Sequence, residues 1–212
     1  MNTDTTPRER ILNEAGNLFF TSGYSKVLMA DLARNLGMSK KTLYQYFTSK
    51  QELLDQVILK YQAEIQQGVE NILRDEEVDF LSKTRNIFSY IGTKIHAISP
   101  FFVEDIKHNS PQSWKLLQDY AASAYLRFST LLDEGVRKGY IRKDANRSLA
   151  VLLYASSLET ILNPDFTKQV PRELIKELPY TPAAVFEGLV KIIFNGILDG
   201  DGKEEISAAG KR

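Results

Sequence analysis

The side chains best suited to chemistry lie in one short segment, between Leu32 and Gln51, which contains no acidic residue. Its cations are Arg34, Lys40, Lys41 and Lys50. Its hydrogen-bonding side chains near the last three cations are Thr42, Tyr44, Gln45 and Tyr46. Cations without local opposition attract a polyanion, and hydroxyl and amide groups beside them can bind phosphates and base edges. The segment therefore indicates a surface that binds nucleic acid.

Two short helices joined by a tight turn would position these side chains. The apolar spacing predicts a helix over 29–36, Gly37 supplies the left-handed residue that ends it, and Ser39 can cap the next helix. In that next helix Leu43 and Phe47 lie four residues apart and should face the core. The lysines, Gln45 and at least one tyrosine are then expected to point outward. This is the pattern of a helix-turn-helix, whose second helix enters the major groove of duplex DNA.

The rest of the chain also predicts helices. Thr6 and Glu9 form a capping box that opens the first helix, Gly23 ends it, and a second box from Ser49 to Glu52 opens a long helix. No later window alternates with period two, so further helices are expected over 80–98, from 100, over 111–139, 145–162 and 182–198. The expected fold is all-α. We expect a DNA-binding domain over 1–48, a helical regulatory and dimerisation domain over 49–199, and a disordered tail over 200–212.

Composition limits the classes of function. Lys plus Arg and Asp plus Glu each number 27, so the formal net charge is zero and any affinity for DNA must come from a local cluster. The chain has no cysteine, which excludes disulfides and thiolate metal sites. It also lacks an apolar signal sequence and any membrane-length apolar run, so we expect a cytoplasmic protein.

The segment GMSKKTLYQYFTSKQELL, preceded by ADLARNL and a helix ending in FFTSGY, resembles the N-terminal domain of the TetR family of bacterial transcriptional regulators. The resemblance covers roughly residues 7 to 60. It implies that the stretch 39–47 is the recognition helix, in which Ser39 is also a candidate for DNA binding. It also implies that Tyr44, Tyr46 and Lys50 contact the DNA backbone. The base-edge contacts it implies are Lys40, Lys41, Thr42 and Gln45.

The chain departs from the family pattern at two places. Val27 and Leu28 stand where family members usually place Ser or Thr, which caps the second helix and touches phosphate; neither aliphatic side chain can do so. Ser25 or Lys26 could replace that contact. Lys41 stands where a glycine is common, and it adds charge but takes up space. We therefore expect the same docking mode with a different operator preference.

Dimerisation is expected because one helix-turn-helix contacts too few base pairs and phosphates to select a specific site in a genome. Such proteins therefore usually bind palindromic sites as dimers. The resemblance implies that the last two long helices of two chains form a four-helix bundle. Completion of a monomer core is the alternative role for their apolar faces. The candidate interface residues are Leu149, Leu152, Leu153, Val185, Leu189, Ile192, Ile193 and Gly196.

The resemblance further implies an inducer pocket lined by the middle helices. Aromatic groups with a few polar ones can enclose an organic ligand, although aromatics at helical spacing are more often core. The candidate wall residues are Tyr90, His96, Phe101, Phe102, Trp114, Tyr120, Tyr125, Phe128, Tyr154 and Glu159. The partners expected are thus an inverted-repeat DNA operator, a second copy of the chain and an unknown small-molecule inducer.

The sequence offers no catalytic machinery. It has two histidines, twelve residues apart, no phosphate-binding glycine loop and no metal-ligand motif, so we expect neither an enzyme nor a cofactor. The resemblance makes a ligand-released repressor the default function. The alternative is a helical DNA-binding or protein-interaction factor without a small-molecule inducer.

Overall fold

The computed structural model describes residues 6–162 and the isolated positions 171, 173, 176, 184, 188, 189, 191 and 192. Within residues 6–162 the chain forms eight helices and no strand, which confirms the all-α prediction. The helices are α1 (Pro7–Ser22), α2 (Met29–Asn35), α3 (Lys40–Tyr46), α4 (Lys50–Arg74), α5 (Phe80–His96), α6 (Pro100–Asn109), α7 (Pro111–Arg137) and α8 (Arg147–Leu162). No helix in the described residues has both the length and the apolar character needed to cross a bilayer.

The local signals that start and end the helices act largely as expected. Thr6 and Glu9 form the predicted reciprocal capping box at α1. Gly23 and Gly139 have φ angles of 91° and 84°, in the left-handed region, where α1 and α7 end. Four bounds differ from the prediction by one or two residues, and two of them are the ends of α2 at Asn35 and of α7 at Arg137. The α5 helix stops at His96, and α8 starts later because the Oδ1 atom of Asn146 caps it, accepting a hydrogen bond of 3.0 Å from the Leu149 amide. The predicted 182–198 helix and the 200–212 tail lie outside the described residues, except at isolated positions.

The chain forms two compact units. Unit 1 consists of Met1–Gln67 and Ala97–Tyr120, and therefore holds α1, α2, α3 and α6 with the first parts of α4 and α7. Its core contains fully buried side chains from each of the first four helices and from α6: Ile11, Phe19, Leu32, Leu43, Phe47, Leu53, Leu54 and Ile106. Because α3 contributes to this core, its outer face is held in a fixed orientation within unit 1.

Unit 2 consists of Gly68–His96 and Ala121–Arg212. Its described core packs α5 against α7, α8 and the segment that joins them, through Phe80, Phe88, Phe128, Leu132, Ile141 and Tyr154. Gly135 permits the close packing, since a Cβ there would lie 2.6 Å from the Cδ1 atom of Ile141. The domain boundary predicted after residue 48 stays a prediction, because it is a statement about which parts of the chain fold independently.

Candidate nucleic-acid interface

The helix α3 is fixed by its two ends and one apolar face. At its start, the Ser39 Oγ atom accepts a hydrogen bond of 3.0 Å from the Thr42 amide, as the sequence predicted. At its end, the Phe47 amide donates to the Leu43 carbonyl at 3.2 Å. The side chains of Leu43 and Phe47 are both fully buried. A seven-residue helix is marginal by itself, so this burial and capping define its position.

The turn before α3 depends on Gly37, whose φ of 65° is unfavourable for other residues. The Met38 amide donates to the Ala33 carbonyl and the Gly37 amide donates to the Arg34 carbonyl, each at 3.0 Å. These bonds satisfy the last carbonyls of α2 in the manner of a Schellman end. The turn therefore leads directly into α3, as a helix-turn-helix requires.

The outer face of α3 presents both charge and aromatic surface. Lys40, Lys41 and Gln45 are exposed. Tyr44 and Tyr46 retain 38% and 39% of their surface exposed, so both tyrosines reach solvent on different sides of the helix. The Lys40 ammonium lies 5.8 Å from the centre of the Tyr44 ring, which keeps this cation near the tyrosine.

Thr42 differs from these neighbours because it is half-buried and already engaged. Its Oγ1 atom lies 2.8 Å from the Ser39 Oγ atom, within hydrogen-bond distance. Either hydroxyl can donate in that pair, so Ser39 and Thr42 form one polar unit at the start of α3. A base contact by Thr42 would have to share this hydroxyl with Ser39.

Lys50 lies apart from the α3 lysines and is half-buried. Its Nζ atom lies 4.3 Å above the Tyr24 ring and 3.4 Å from the Ser25 carbonyl oxygen. Burial lowers the pKa of Lys50, and the nearby Asp105 carboxylate raises it by less. Burial, with the charges of Asp55 and Asp105, likewise raises the pKa of Tyr24. Lys50 is thus in the field of an acidic residue of α6, which the local sequence did not indicate.

Arg34 also has an acidic neighbour. Its Nη2 atom donates to the Oδ1 atom of Asp31 at 2.6 Å, in a pair whose side chains are 76% and 44% exposed. The sequence segment between Leu32 and Gln51 lacks acidic residues, yet Arg34 is paired from just outside it. Exposed pairs of this kind contribute about 0 to 1 kcal/mol, so a phosphate can exchange with Asp31 at little cost.

The start of α4 differs in detail from the predicted capping box. Ser49 does cap the helix, because its Oγ atom accepts from the Glu52 amide at 3.0 Å. The Glu52 carboxylate, however, accepts from the Thr48 amide at 2.7 Å and the Thr48 hydroxyl at 2.6 Å, and not from the Ser49 amide. The reciprocal half of the predicted box is therefore wrong: Thr48 provides two donors to the same carboxylate.

Sequence reasoning missed Arg8, which joins the start of α1 to the end of α3 and to α4. Its guanidinium lies 5.1 Å from the centre of the Phe47 ring, and its Nη2 atom donates to the Gln56 Oε1 atom at 2.9 Å. Residues so far apart in the sequence give no local signal of this contact. Arg8 therefore supports the end of α3 from α1.

The family departure at Val27 and Leu28 has a clear structural outcome. Val27 is buried, and Leu28 is the N-cap residue of α2 with no side-chain hydrogen bond and 58% exposure. Ser25, one proposed substitute, is occupied by the Asp105 carboxylate, which accepts from the Ser25 amide at 2.7 Å and from its hydroxyl. Lys26, the other substitute, is exposed.

The predicted inducer-pocket residues divide between the two units. Phe101, Phe102, Trp114 and Tyr120 belong to unit 1, where Phe102 is buried against Phe20 and Phe101 is 72% exposed. The other six belong to unit 2: Tyr90, His96, Tyr125, Phe128, Tyr154 and Glu159. Three of these six form an aromatic cluster, with ring centres 4.7 Å apart for Phe128 and Tyr154 and 6.4 Å for Tyr125 and Tyr154. His96 is exposed, and the Glu159 side chain lies outside the described part of the structure.

The predicted interface residues on α8 are exposed. Leu149, Leu152 and Leu153 retain 52%, 63% and 51% of their surface, whereas Ala150 and Tyr154 of the same helix are buried in the core of unit 2. Thus α8 has one apolar face inside and another in solvent. Ile192 is 71% exposed and Leu189 is half-buried. Val185, Ile193 and Gly196 lie outside the described residues.

The chain is similar in sequence to bacterial regulatory proteins. Residues 11–57 match the family model for bacterial regulatory proteins of the tetR family. The uncharacterized HTH-type transcriptional regulator YvaF of Bacillus subtilis is 28% identical over 189 residues, covering 89% of this chain and 94% of that protein. A nucleoid occlusion factor, SlmA of Yersinia enterocolitica, is 32% identical over 80 residues, which cover 37% of this chain and 40% of that protein.

Solved structures share the fold over nearly the whole chain. A TetR transcriptional regulator from Legionella pneumophila superposes with a TM-score of 0.68 at 19% identity, covering 93% of this chain and all of that one. The ketosteroid transcriptional regulator KstR2 of Mycobacterium tuberculosis superposes with a TM-score of 0.61 at 19% identity, covering 92% and 96% of the two chains.

Proposed function

This chain belongs to the TetR family of bacterial regulatory proteins and is a DNA-binding transcriptional regulator, and we propose that it acts as a homodimeric repressor released from a palindromic operator by a small organic molecule. The observation that carries the proposal is the outer face of α3. Its inner side is fixed by two fully buried residues, Leu43 and Phe47, while its outer side presents cations, an amide and two tyrosines. A rigid, narrow, acid-free helix of this kind suits the major groove.

Within that face the proposed roles follow exposure. Lys40, Lys41 and Gln45 are free to reach base edges, and Thr42 can do so through the hydroxyl pair it forms with Ser39. The two tyrosines lie on the sides of the helix, where the walls of the groove carry phosphates, so we assign them to the DNA backbone. Lys50 is assigned to phosphate as well, and the nearby Asp105 carboxylate partly offsets its positive charge.

The homodimer is supported by the outer face of α8. Three leucines that are each more than half exposed form an apolar surface at Leu149, Leu152 and Leu153. A contiguous apolar patch on an otherwise ordinary surface marks an interaction site. A second copy of the chain suits it, since two-fold pairing also provides the two recognition helices that a palindrome requires.

Release by a small molecule is supported by the aromatic cluster of Tyr125, Phe128 and Tyr154 in unit 2. The cluster brings together three aromatic rings in the core of unit 2, where Phe128 and Tyr154 are buried, and aromatic groups of this kind line sites for organic ligands. A ligand would cause release only by binding more tightly to a conformation that cannot hold DNA.

The test is selection of duplexes from a random pool by the full chain, followed by light scattering of the complex. The expected result is an enriched inverted repeat bound by two chains. Enrichment of a single half-site bound by one chain would contradict the dimer. Absence of any enriched sequence would contradict specific DNA recognition. Repression is tested separately, by placing the enriched duplex upstream of a reporter gene; activation of the reporter would overturn the proposed sign of regulation.

A further inference from the structure

We propose that Asp105, on α6, is a positioning residue for DNA recognition because it clamps the turn between α1 and α2; this inference rests on the proposed function of α3. Both oxygens of the carboxylate are used. The Oδ2 atom accepts from the Ser25 amide at 2.7 Å, and the Oδ1 atom accepts from the Ser25 hydroxyl. Asp105 thereby binds both the main chain and the side chain of one turn residue.

The clamp is itself held in place. The Asn109 Nδ2 atom donates to the Oδ1 atom of Asp105 at 2.8 Å, which orients the carboxylate from its own helix. Burial acts to raise the pKa of Asp105, but the hydrogen bonds from Ser25 and Asn109 and the charge of Lys50 together lower it below its usual value. The charged form, which accepts hydrogen bonds most strongly, is therefore the one favoured here.

Gly23 makes room for the carboxylate. A Cβ at this position would lie 2.9 Å from the Asp105 Oδ2 atom, and the φ of Gly23 is 91°, so both space and backbone conformation favour glycine. A second link lies close by, where the Ser99 amide at the start of α6 donates to the Phe20 carbonyl at 2.9 Å. The end of α1 and the turn that follows are thus bound to α6 at two points.

The clamp matters because the start of α2 has no side-chain cap of its own. Leu28 occupies the N-cap position without a side-chain hydrogen bond. An N-cap side chain usually stabilises the first turn and fixes the entry of the chain into the helix. In this protein Asp105 restrains the entry from outside, three residues earlier, at Ser25. The orientation of α2, and through the tight turn that of α3, then depends on α6.

Asp105 also acts on the backbone contact proposed for Lys50. The Lys50 Nζ atom lies 3.4 Å from the carbonyl oxygen of Ser25, the same residue that Asp105 clamps. The carboxylate therefore restrains the turn next to which the Lys50 side chain lies, and it also partly offsets the positive charge of Lys50. These two effects differ in sign for DNA binding, since removal of the carboxylate loosens the geometry but increases the net positive charge near DNA.

This difference provides the test. Binding is measured at one salt concentration to two duplexes: the sequence enriched by the wild-type chain from a random pool, and a scrambled version of the same composition. Asp105→Ala should weaken binding to the enriched duplex about tenfold, as expected for the loss of hydrogen bonds to a charged group, and leave binding to the scrambled duplex unchanged or slightly stronger. Asp105→Asn should recover most of the loss, because an amide can still accept from the Ser25 amide and donate to its hydroxyl.

Glu104→Ala is the matched control. It removes the same charge from the same helix, but the Glu104 carboxylate bonds to His108, 2.6 Å away on α6, and not to Ser25. Its ratio of enriched to scrambled affinity should equal that of the wild type. Thermal unfolding of each variant establishes that the folded protein is compared. Should Asp105→Ala fail to fold, Ser25→Ala removes one of the two links and should lower the ratio about threefold.

Each outcome decides the inference. An unchanged ratio in Asp105→Ala, or in Ser25→Ala if that variant is needed, overturns it. Equal behaviour of Asp105→Ala and Asp105→Asn overturns it in favour of a pure charge effect. Failure of the wild-type chain to enrich any duplex overturns the proposed function first and this inference with it, and that failure is recognised before any variant is made.

Discussion

The Asp55 carboxylate of α4 and the Ser113 hydroxyl of α7 form a buried hydrogen bond, with the Ser113 Oγ atom 2.5 Å from the Oδ1 atom of Asp55. Asp55 is 9% exposed and Ser113 is fully buried. The side-chain amides of Gln51 and Gln112 donate to the same carboxylate at 3.0 Å and 2.6 Å. Three neutral side-chain donors, two of them from the first turn of α7, thus solvate a buried carboxylate within unit 1.

Replacement of Ser113 should destabilise this network. Ser113→Ala removes a donor from a buried carboxylate, and an unsatisfied buried group of this kind costs about 1 to 3 kcal/mol. The free energy of unfolding is measured by urea titration. Lys115→Ala is the control on the same helix, since Lys115 is 73% exposed in an ion pair with Asp119 and should change stability by about 0.5 kcal/mol or less. Equal stability of the two variants would contradict the stabilising role of the buried network.

Glu52 should contribute to the pH dependence of the free energy of unfolding in the acid range. Hydrogen bonds from the side chain and then the main chain of Thr48 lower the pKa of Glu52 from 4.5. A carboxyl group whose folded pKa lies below its unfolded pKa stabilises the fold above the unfolded pKa, and this contribution is lost as pH falls through the folded pKa. Glu52→Gln should therefore reduce the loss of stability between about pH 5 and the lowered pKa. Urea titrations across this range compare the slopes, and parallel curves for wild type and variant would contradict the effect.

The sequence predicted those parts of the interface that depend on neighbours along the chain. The cap at Ser39, the left-handed Gly37 and the core positions Leu43 and Phe47 each follow from spacing within one helix or turn. Whether Glu52 would accept from Thr48 or from Ser49 could not be predicted, because adjacent hydroxyl residues present the same local pattern.

Contacts across the sequence were likewise beyond prediction. Asp105 lies 80 residues from Ser25, and Arg8 lies 48 residues from Gln56. An acidic residue on the polar face of an amphipathic helix does not indicate which distant turn it will contact in the folded chain. For the same reason the proximity of Lys50 to Asp105 could not be predicted from the segment 32–51, which itself contains no acidic residue.

Lys50→Ala should weaken binding to all duplexes alike. If Lys50 contacts one phosphate, its loss should reduce the slope of log affinity against log salt concentration by about 0.9. The measurement is a salt titration with the enriched and the scrambled duplex. Lys107→Ala is a suitable control, because Lys107 is an exposed cation of α6 in unit 1 outside the proposed contact set, and should leave the slope unchanged. A loss confined to the enriched duplex would assign Lys50 to sequence recognition instead.

Gln45→Ala should affect one position of the operator. An amide that binds a base edge in the major groove discriminates by about 1 to 3 kcal/mol against the wrong base. The variant should therefore lose affinity for the enriched duplex and lose its preference at a single base pair of each half-site. Binding to a panel of singly substituted duplexes measures this preference. Uniform weakening across the panel would place Gln45 on the DNA backbone.

Leu152→Glu should disrupt the dimer without unfolding the chain. Leu152 is 63% exposed, so a carboxylate there remains solvated in the monomer but would be buried without a partner in a dimer through α8. Light scattering at micromolar concentration should change from the mass of two chains to that of one. Leu59→Glu, at a leucine of α4 that is 43% exposed, is the control and should retain the dimer. Because the two half-sites of a palindrome are bound together by a dimer, Leu152→Glu should also weaken binding to the full repeat far more than to a single half-site. A dimer that persists in Leu152→Glu would exclude this face of α8 from the interface.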